Sequence, residues 1–412
     1  MSDLASTVAE LRSTQTIRKR AHALLARARR GESASFSVND GAMVTAATLV
    51  AELTQARYPD LKIPYHSRWR HFEAGGVDRR GQLDSALGNA SAAEKARARI
   101  DLALVSVLLD AGAGADWRYR EHVPGQTAQH EYTRSEGLGV ASFHAFMSGL
   151  FSSAESVPLQ ADARGLQAVT ADKLASAFQV TAVNPLIGLE GRAALLRRLG
   201  EALQNRPELF GKSGRPGHLF DALSQGRQTI QAHDVLAVLL EGLSSIWPAQ
   251  NAIDGVALGD CWSLAAACGD SGGPGNGWMP FHKLSQWLTY SLLEPFEWAG
   301  IEVRGLDALT GLPEYRNGGL FLDAGVLRFK DPAQAGHLHA ASDALIVEWR
   351  ALTVALLDEL APLVREQLEL TAEEMPLACV LEGGTWAAGR VLAQQLRGGQ
   401  PPLNIISDGT VF

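Results

Sequence analysis

Apolar residues recur at helical spacing along most of this chain and alternating runs are scarce, so its core must be built from helices. Residues 342–370 form the longest such run, and Pro362 within it is expected to kink or divide the helix. Residues 95–111 begin amphipathic and end almost entirely apolar, which suits a central helix, with Gly112 and Gly114 to stop it. Residues 191–203 place Leu195, Leu196, Leu199 and Leu203 on one stripe. Residues 232–247 read as a further apolar helix ended by Pro248. Val8, Leu11, Ile17, Ala21, Leu24 and Leu25 mark a helical opening with a basic exterior. Strand signals are confined to two places. Residues 319–329 carry two short apolar runs around Asp323-Ala324-Gly325, and residues 403–412 repeat the form around Asp408-Gly409; each reads as a hairpin. The expected class is therefore mainly α with a small β-hairpin or sheet, since strands are too sparse for a parallel-sheet α/β domain. Periodicity lapses over residues 151–165. That suggests regions at 1–155 and 156–412, with one compact unit as the other possibility.

Bulk properties narrow the function classes. With 46% hydrophobic and 20% charged residues the composition is that of a globular protein, not a disordered one. A net charge of -8 argues against a nucleic-acid partner, which would call for a basic face. Residues 1–30 are alternately charged without an apolar core segment, so no signal peptide is expected. No apolar run reaches the roughly 18 residues of a membrane helix. Cys261, Cys268 and Cys379 form no C-x-x-C pair and read as buried thiols in a reducing compartment. The expectation is a soluble, cytoplasmic protein acting on a small molecule, with no nucleic-acid or membrane partner. Oligomeric state is open, because no heptads appear.

Three motifs fail on inspection. Gly211-Lys212-Ser213 ends like a P-loop, but Arg206 stands where the first glycine must be. His337 and His339 lack a third ligand at helical spacing and read as surface or capping residues, so no metal is expected. Glu382-Gly383-Gly384-Thr385 reads first as a helix start, whose amides can also hold an anion.

Three constellations carry more chemistry. Residues 65–72 interleave His66, Arg68, Arg70 and His71 with Tyr65, Trp69 and Phe72. Guanidinium forks suit phosphate or carboxylate, although an amphipathic surface segment fits as well. Residues 134–139 form a polar loop before an apolar helix, a second candidate anion site. Residues 281–290 read as a helix ended by Pro295, with Lys283, Gln286 and Tyr290 on one face, a solvated polar stripe by default. Downstream, Glu314, Tyr315 and Arg316 adjoin one another in a glycine-rich loop of the kind that carries active-site groups. The loop over residues 260–280, with its GDSGGPGNG, reads as flexible.

At these residues the whole chain resembles a bacterial and fungal protein family of unknown chemistry encoded with the URC uracil-catabolism pathway. The matching segments are HSRWRHFEAGG (66–76), RSEGLGVASFHAFMSGLF (134–151), NPLIGLEGRAALLRRLG (184–200), RPGHLFD (215–221), LTGLPEYRNGGLFLD (309–323), EGGTWAAGR (382–390) and SDGTVF (407–412). The resemblance implies a step in pyrimidine breakdown, along a route through ribosylurea. Residues 282–316 are also similar to the queuosine salvage N-glycosidase family, which carries a Tyr-Lys-Arg-Ala-Gln helix and a later Leu-Thr-x-Phe-Ala-Asp-Tyr-Arg loop. Lys283 and Gln286 match the helix motif; Leu309, Thr310, Tyr315 and Arg316 match the loop; Glu314 stands where that family has Asp. This second resemblance implies a helical body similar to helix-hairpin-helix DNA glycosylases and hydrolysis of an N-ribosidic bond.

Taken together these readings lead to an N-ribosyl hydrolase of ribosylurea or its phosphate, without a cofactor. Glu314 would stabilise the oxocarbenium-like state, and Lys283 would keep it ionised, bind substrate or protonate the leaving nitrogen. Arg316 and Tyr315 would orient the carboxylate or sugar hydroxyls. His66, Arg68 and Arg70 are phosphate candidates, and Trp69 or Trp262 would supply an apolar wall, with Gln286 and Asp260 as further substrate-binding candidates. This requires the Lys283 ammonium and the Glu314 carboxylate to share one water-poor cavity. Two alternatives stand beside it. One is an amidohydrolase acting on the urea end, with Cys261, Cys268, Asp260 and the two histidines as its only hints. The other is a non-catalytic partner of a pathway enzyme, which would show a large exposed apolar patch.

Overall fold

The computed structural model describes residues 2–110, 112–122, 129–246, 251–269 and 273–406. Helices carry most of it, and the strands form short pairs, so the fold is mainly α. Contacts divide the chain into two interleaved units. The first comprises Met1–His66, Ala249–Gln286 and Gly305–Ser407; the second comprises Ser67–Pro248 and Trp287–Arg304. Residue 155 lies inside the second.

The first unit is organised on the helix Ala344–Leu368. Ile346, Val347, Trp349, Leu352, Val354, Leu356 and Leu360 are all buried, a ring of apolar side chains that a helix carries only inside a core. Helices Thr14–Arg29 and Met43–Arg57 pack against it. Pro362 lies within the helix and does not divide it. Glu369 then turns left-handed at φ 57 and ends it. Helices Tyr315–Asp323 and Trp386–Arg397 lie side by side, and a Cβ at Gly389 would overlap the Arg316 carbonyl, so only glycine permits the approach. Ahead of Trp386, the short helix Leu377–Val380 widens into a π-helical turn over Leu381–Thr385. Glu382-Gly383-Gly384-Thr385 is thus a swelling inside continuous helix, not a helix start. Gly384 sits against the Val50 carbonyl, where a side chain has no room.

The hairpin expected over residues 319–329 does not form. Residues Tyr315–Asp323 are helical, and Leu327–Phe329 pairs antiparallel with the distant strand Phe36–Val38, Phe36 opposite Phe329. The local turn lost to a helix capped by Glu314, whose apolar residues Leu320 and Phe321 face the core. Near the C-terminus, Asn404–Ile405 pairs parallel with Leu338–His339, and Asp408-Gly409 lies outside the described residues. His339 joins this arrangement through Nε2 at 2.9 Å from the Gln334 carbonyl oxygen. The ends of the 260–280 loop are held together by Cys261–Ser263 pairing antiparallel with Trp278–Pro280. Cys261 and Cys379 are buried, but Cys268 is exposed on that loop, against expectation.

In the second unit, helix Ala92–Leu108 is capped by Ser91 and buried on every face of its later turns. It packs on helix Arg134–Met147, and the stripe of Leu195, Leu196, Leu199 and Leu203 is buried in helix Leu189–Gln204. Residues 134–139, expected as a polar loop, already belong to helix Arg134–Met147, and an antiparallel pair, Tyr119–His122 with Gln129–Tyr132, precedes it. Ala232–Leu243 is helical as its periodicity requires; the expected stop at Pro248 lies outside the described residues. Helix Lys283–Glu297, which begins in the first unit, contains Pro295 instead of ending before it. The missing proline N–H would have reached the Ser291 carbonyl, and that oxygen accepts instead from Trp69 Nε1 at 2.9 Å. Among the described residues, no helix is long and apolar enough to cross a membrane.

Candidate active site

The helix start at Lys283 and the turn before Tyr315 are stitched together by one side chain. Gln286 accepts the Thr310 backbone N–H on Oε1 at 2.8 Å and donates Nε2 to Thr310 Oγ1 and to the Phe281 carbonyl. Gln286 and Tyr290 are buried, so the expected solvated stripe points inward and only Lys283 is partly exposed. A buried amide with its groups satisfied fixes register between elements far apart in sequence.

Asp260 forms the second tie. Its Oδ2 accepts the Lys283 backbone N–H at 2.9 Å, and its Oδ1 accepts Trp262 Nε1 at 2.7 Å. Arg350, on the long helix, closes a bidentate pair on the same carboxylate at 2.7 and 2.8 Å. Burial pushes the Asp260 carboxyl up, but Arg350 and the other donors outweigh it and hold the group well below the usual carboxylate range. Arg350 also donates Nε to the Pro313 carbonyl at 3.3 Å, beside Glu314, and lies over the Phe281 ring at 4.0 Å. Asp260 and Trp262 thus serve as framework, holding the Lys283 backbone and the Glu314 turn. Ahead of this helix, His282 takes a left-handed φ of 49 and anchors Nε2 against the Leu11 carbonyl oxygen at 2.9 Å.

Glu314 is the N-cap of helix Tyr315–Asp323, with its carboxylate accepting the N–H groups of Arg316 and Asn317 at 2.6 Å each. Burial raises its carboxyl above the ordinary range, and the two amides, then the charges of Lys283 and His66, pull the other way. Lys283 and His66 therefore stand close enough to act on this carboxylate. Asn317 is clamped in turn: Nδ2 donates to the Leu312 carbonyl at 3.0 Å, and Oδ1 accepts from Thr385 Oγ1 at 2.8 Å. Through Thr385 the π-helical turn is joined to the Glu314 cap.

That turn carries Glu382. One of its oxygens lies 2.8 Å from His66 Nδ1; the other accepts from Arg57 Nη2 at 2.9 Å and Tyr58 Oη at 3.0 Å. Burial opposes the charge, but His66 and Arg57 hold the carboxyl down to about 2. Arg316 is buried beside Tyr315, with Nη2 donating to the Gly399 carbonyl at 3.3 Å and its guanidinium 4.8 Å from the Tyr315 ring. Among the described residues its buried Nε and Nη1 find no hydrogen-bond partner. Tyr315 itself is exposed.

The remaining phosphate candidates belong to the second unit and are engaged there. Arg68 is fully buried, donates Nε to Ser106 Oγ at 2.7 Å and pairs with Asp110 at 3.3 Å. Trp69 is core, edge-on to Phe72 and Trp298. Arg70 pairs with Glu294 at 2.8 Å and Glu73 at 3.2 Å. The Glu294 carboxyl is pushed up to about 7, by burial first, with Arg70 and Ser67 offsetting only part. Its folded value lies above its unfolded one, so its contribution is fully present below the usual carboxylate range and is lost as pH rises through about 7. Glu294→Gln escapes that loss. The melting temperature of the variant relative to wild type should rise from about pH 5 to about pH 8, by the equivalent of up to about 3 kcal/mol. A difference that stays flat across thermal melts at those pH values would mean that Arg70 compensates the charge fully.

Sequence reasoning did not single out Arg350, Asn317, Arg57 or Glu382 as working residues. Arg350 had a signal: a guanidinium set between Trp349 and Ala351 in the apolar part of a core helix implies a buried carboxylate partner. Asn317 and Glu382 had none, because Thr385, which grips Asn317, and Arg57 and His66, which hold Glu382, lie far from them in sequence.

A model of a family described as a protein of unknown function, DUF1688, matches residues 10–412. Protein urg3 of Schizosaccharomyces pombe is 41% identical over 420 residues, covering 98% of this chain and 99% of that protein. Uracil catabolism protein 4 of Lachancea kluyveri is 41% identical over 380 residues, covering 85% of each. On a match of this length and identity, the chain belongs to the DUF1688 family.

Proposed function

We propose that the protein acts in uracil catabolism as an N-ribosyl hydrolase, cleaving ribosylurea or its phosphate with water to urea and ribose or ribose phosphate. Near full-length similarity to a protein named for uracil catabolism supports the pathway. The observation that carries the chemistry is a buried carboxylate, Glu314, fixed by two backbone amides and acted on by the charges of Lys283 and His66.

Breaking a ribosyl C–N bond builds positive charge on the sugar and negative charge on the departing nitrogen. A carboxylate whose two oxygens are already aimed by Arg316 N and Asn317 N needs no reorganisation to face that positive charge. Lys283 favours the ionised form of Glu314 and supplies a cation for the substrate. Arg316, two residues after Glu314 and with buried donors of its own, addresses sugar hydroxyls.

The test is direct. Purified protein is incubated with ribosylurea and with its 5′-phosphate, and urea is measured alongside ammonia. Urea released in step with free sugar is the expected result. Ammonia without urea would mean attack at the urea end, and no turnover of either compound would remove the hydrolase reading.

A further inference from the structure

We propose that His66 is the proton donor to the leaving urea nitrogen and that Glu382 is its positioning residue; this rests on the hydrolase reading above. N-glycoside cleavage needs a proton on the departing nitrogen, because a urea anion is a poor leaving group. His66 is arranged for that task. Its backbone N–H is tied to the Ala378 carbonyl at 3.0 Å, and its Nδ1 faces a Glu382 oxygen at 2.8 Å. That contact fixes the ring and leaves Nε2 as the nitrogen available to a substrate.

Glu382 is itself held in place. Arg57 and Tyr58 occupy its second oxygen, and Arg57 also donates to the Glu382 and Gly383 carbonyls. The π turn is what allows this, since a widened turn re-aims one side chain without breaking the helix, a device frequent at functional sites. Gly383 and Gly384 let the turn press against Thr54 and Val50 on the helix that carries Arg57. Thr385 at its end grips Asn317, which in turn holds the Glu314 carboxylate. One short turn thus sets His66 from one end and the Glu314 cap from the other. Glu382, with Arg57 behind it, faces this histidine, whose charge also acts on Glu314.

The step balances simply. The C1′–N bond breaks with its electron pair going to nitrogen, and that nitrogen takes the proton from Nε2 of the imidazolium. Water adds to C1′ and loses its proton to Glu314, which passes it to solvent; solvent returns a proton to His66. This order gives the two acidic groups distinct work. Glu314 serves the sugar, and His66 serves the leaving group.

The experiment compares His66→Gln, Glu382→Gln, Glu382→Asp and wild type on ribosylurea and on p-nitrophenyl riboside, whose phenolate leaves without a proton. Circular dichroism and melting temperature report folding. His66→Gln should lose about 10²-fold or more in kcat on ribosylurea and at least about tenfold less than that on the aryl riboside. Glu382→Gln should lower kcat on ribosylurea about tenfold with little change in KM, and Glu382→Asp should recover part of it. Equal losses on both substrates would overturn the proton-donor role while leaving the hydrolase reading intact. If wild type cleaves ribosylurea but not the aryl riboside, the pH profile decides. The alkaline limb of kcat should vanish in His66→Gln, and its persistence would overturn the proposal. If wild type cleaves neither compound, the hydrolase reading fails first.

Discussion

On the proposed hydrolase reading, replacing Glu314 by glutamine should abolish most turnover of ribosylurea, by about 10²- to 10⁴-fold, and the cost to stability of losing one cap acceptor should shrink from acid toward neutral pH. Both halves follow from one placement. The carboxylate sits at a helix N-terminus with each oxygen on a backbone amide, so its position is set before substrate arrives. Glutamine keeps the shape and one accepting oxygen, but it has no charge to offer an oxocarbenium-like sugar. On stability, burial raises the carboxyl above its ordinary range despite the two amides, Lys283 and His66. A group with a raised folded value contributes most below its unfolded value, and that contribution is lost as pH rises through the folded one. The neutral variant is spared that loss. Its melting temperature relative to wild type should therefore climb from acid toward neutral pH while activity stays low. Full turnover in the variant would end the assignment of Glu314 to catalysis. A variant that melts lower than wild type at neutral pH and higher in acid would reverse the sign of the burial argument.

The second large effect is expected at Arg350. Arg350→Met should cost about 3–5 kcal/mol, read from the shift of the urea unfolding midpoint, because it leaves Asp260 as an uncompensated charge in the core. Asp260 would still accept the Trp262 and Lys283 N–H groups, but two neutral donors do not replace a bidentate guanidinium. Turnover should drop as well, since Arg350 also holds the Pro313 carbonyl one residue before Glu314. The double variant Asp260→Asn with Arg350→Met removes both charges and should recover much of the lost stability but not the activity. That non-additivity distinguishes a broken buried pair from a simple cavity. A cost under about 1 kcal/mol for Arg350→Met would place this pair with ordinary solvated salt bridges.

Individual elements show where the limits of one-dimensional reading fall. The run over residues 342–370 announced a long helix through its spacing, and Pro362 did not divide it because the surrounding packing holds the helix whole. Pro295 misled for a related reason: the carbonyl that its ring leaves unpaired found Trp69 on another element. Gln286 read as one member of a solvated stripe, yet it is buried because Thr310 satisfies its amide. Residues 65–72 looked like one cationic cluster, but the boundary between units falls directly after His66. His66 joins Glu382, whereas Arg68 and Arg70 take Asp110 and Glu294.

Hydrophobic period and composition, read alone, determined that the chain is mainly α and which stretches form its core helices. Its motifs marked Lys283 and Glu314 as residues to watch. Both kinds of signal are local, because a helix writes its buried face into spacings of three and four residues. Tertiary structure decided which polar groups meet: Gln286 with Thr310, Asp260 with Arg350, His66 with Glu382, Asn317 with Thr385. Those partners are separated by anything from a few turns of helix to most of the chain. A buried polar group is satisfied by whatever the fold brings beside it, and no spacing in the sequence records that choice.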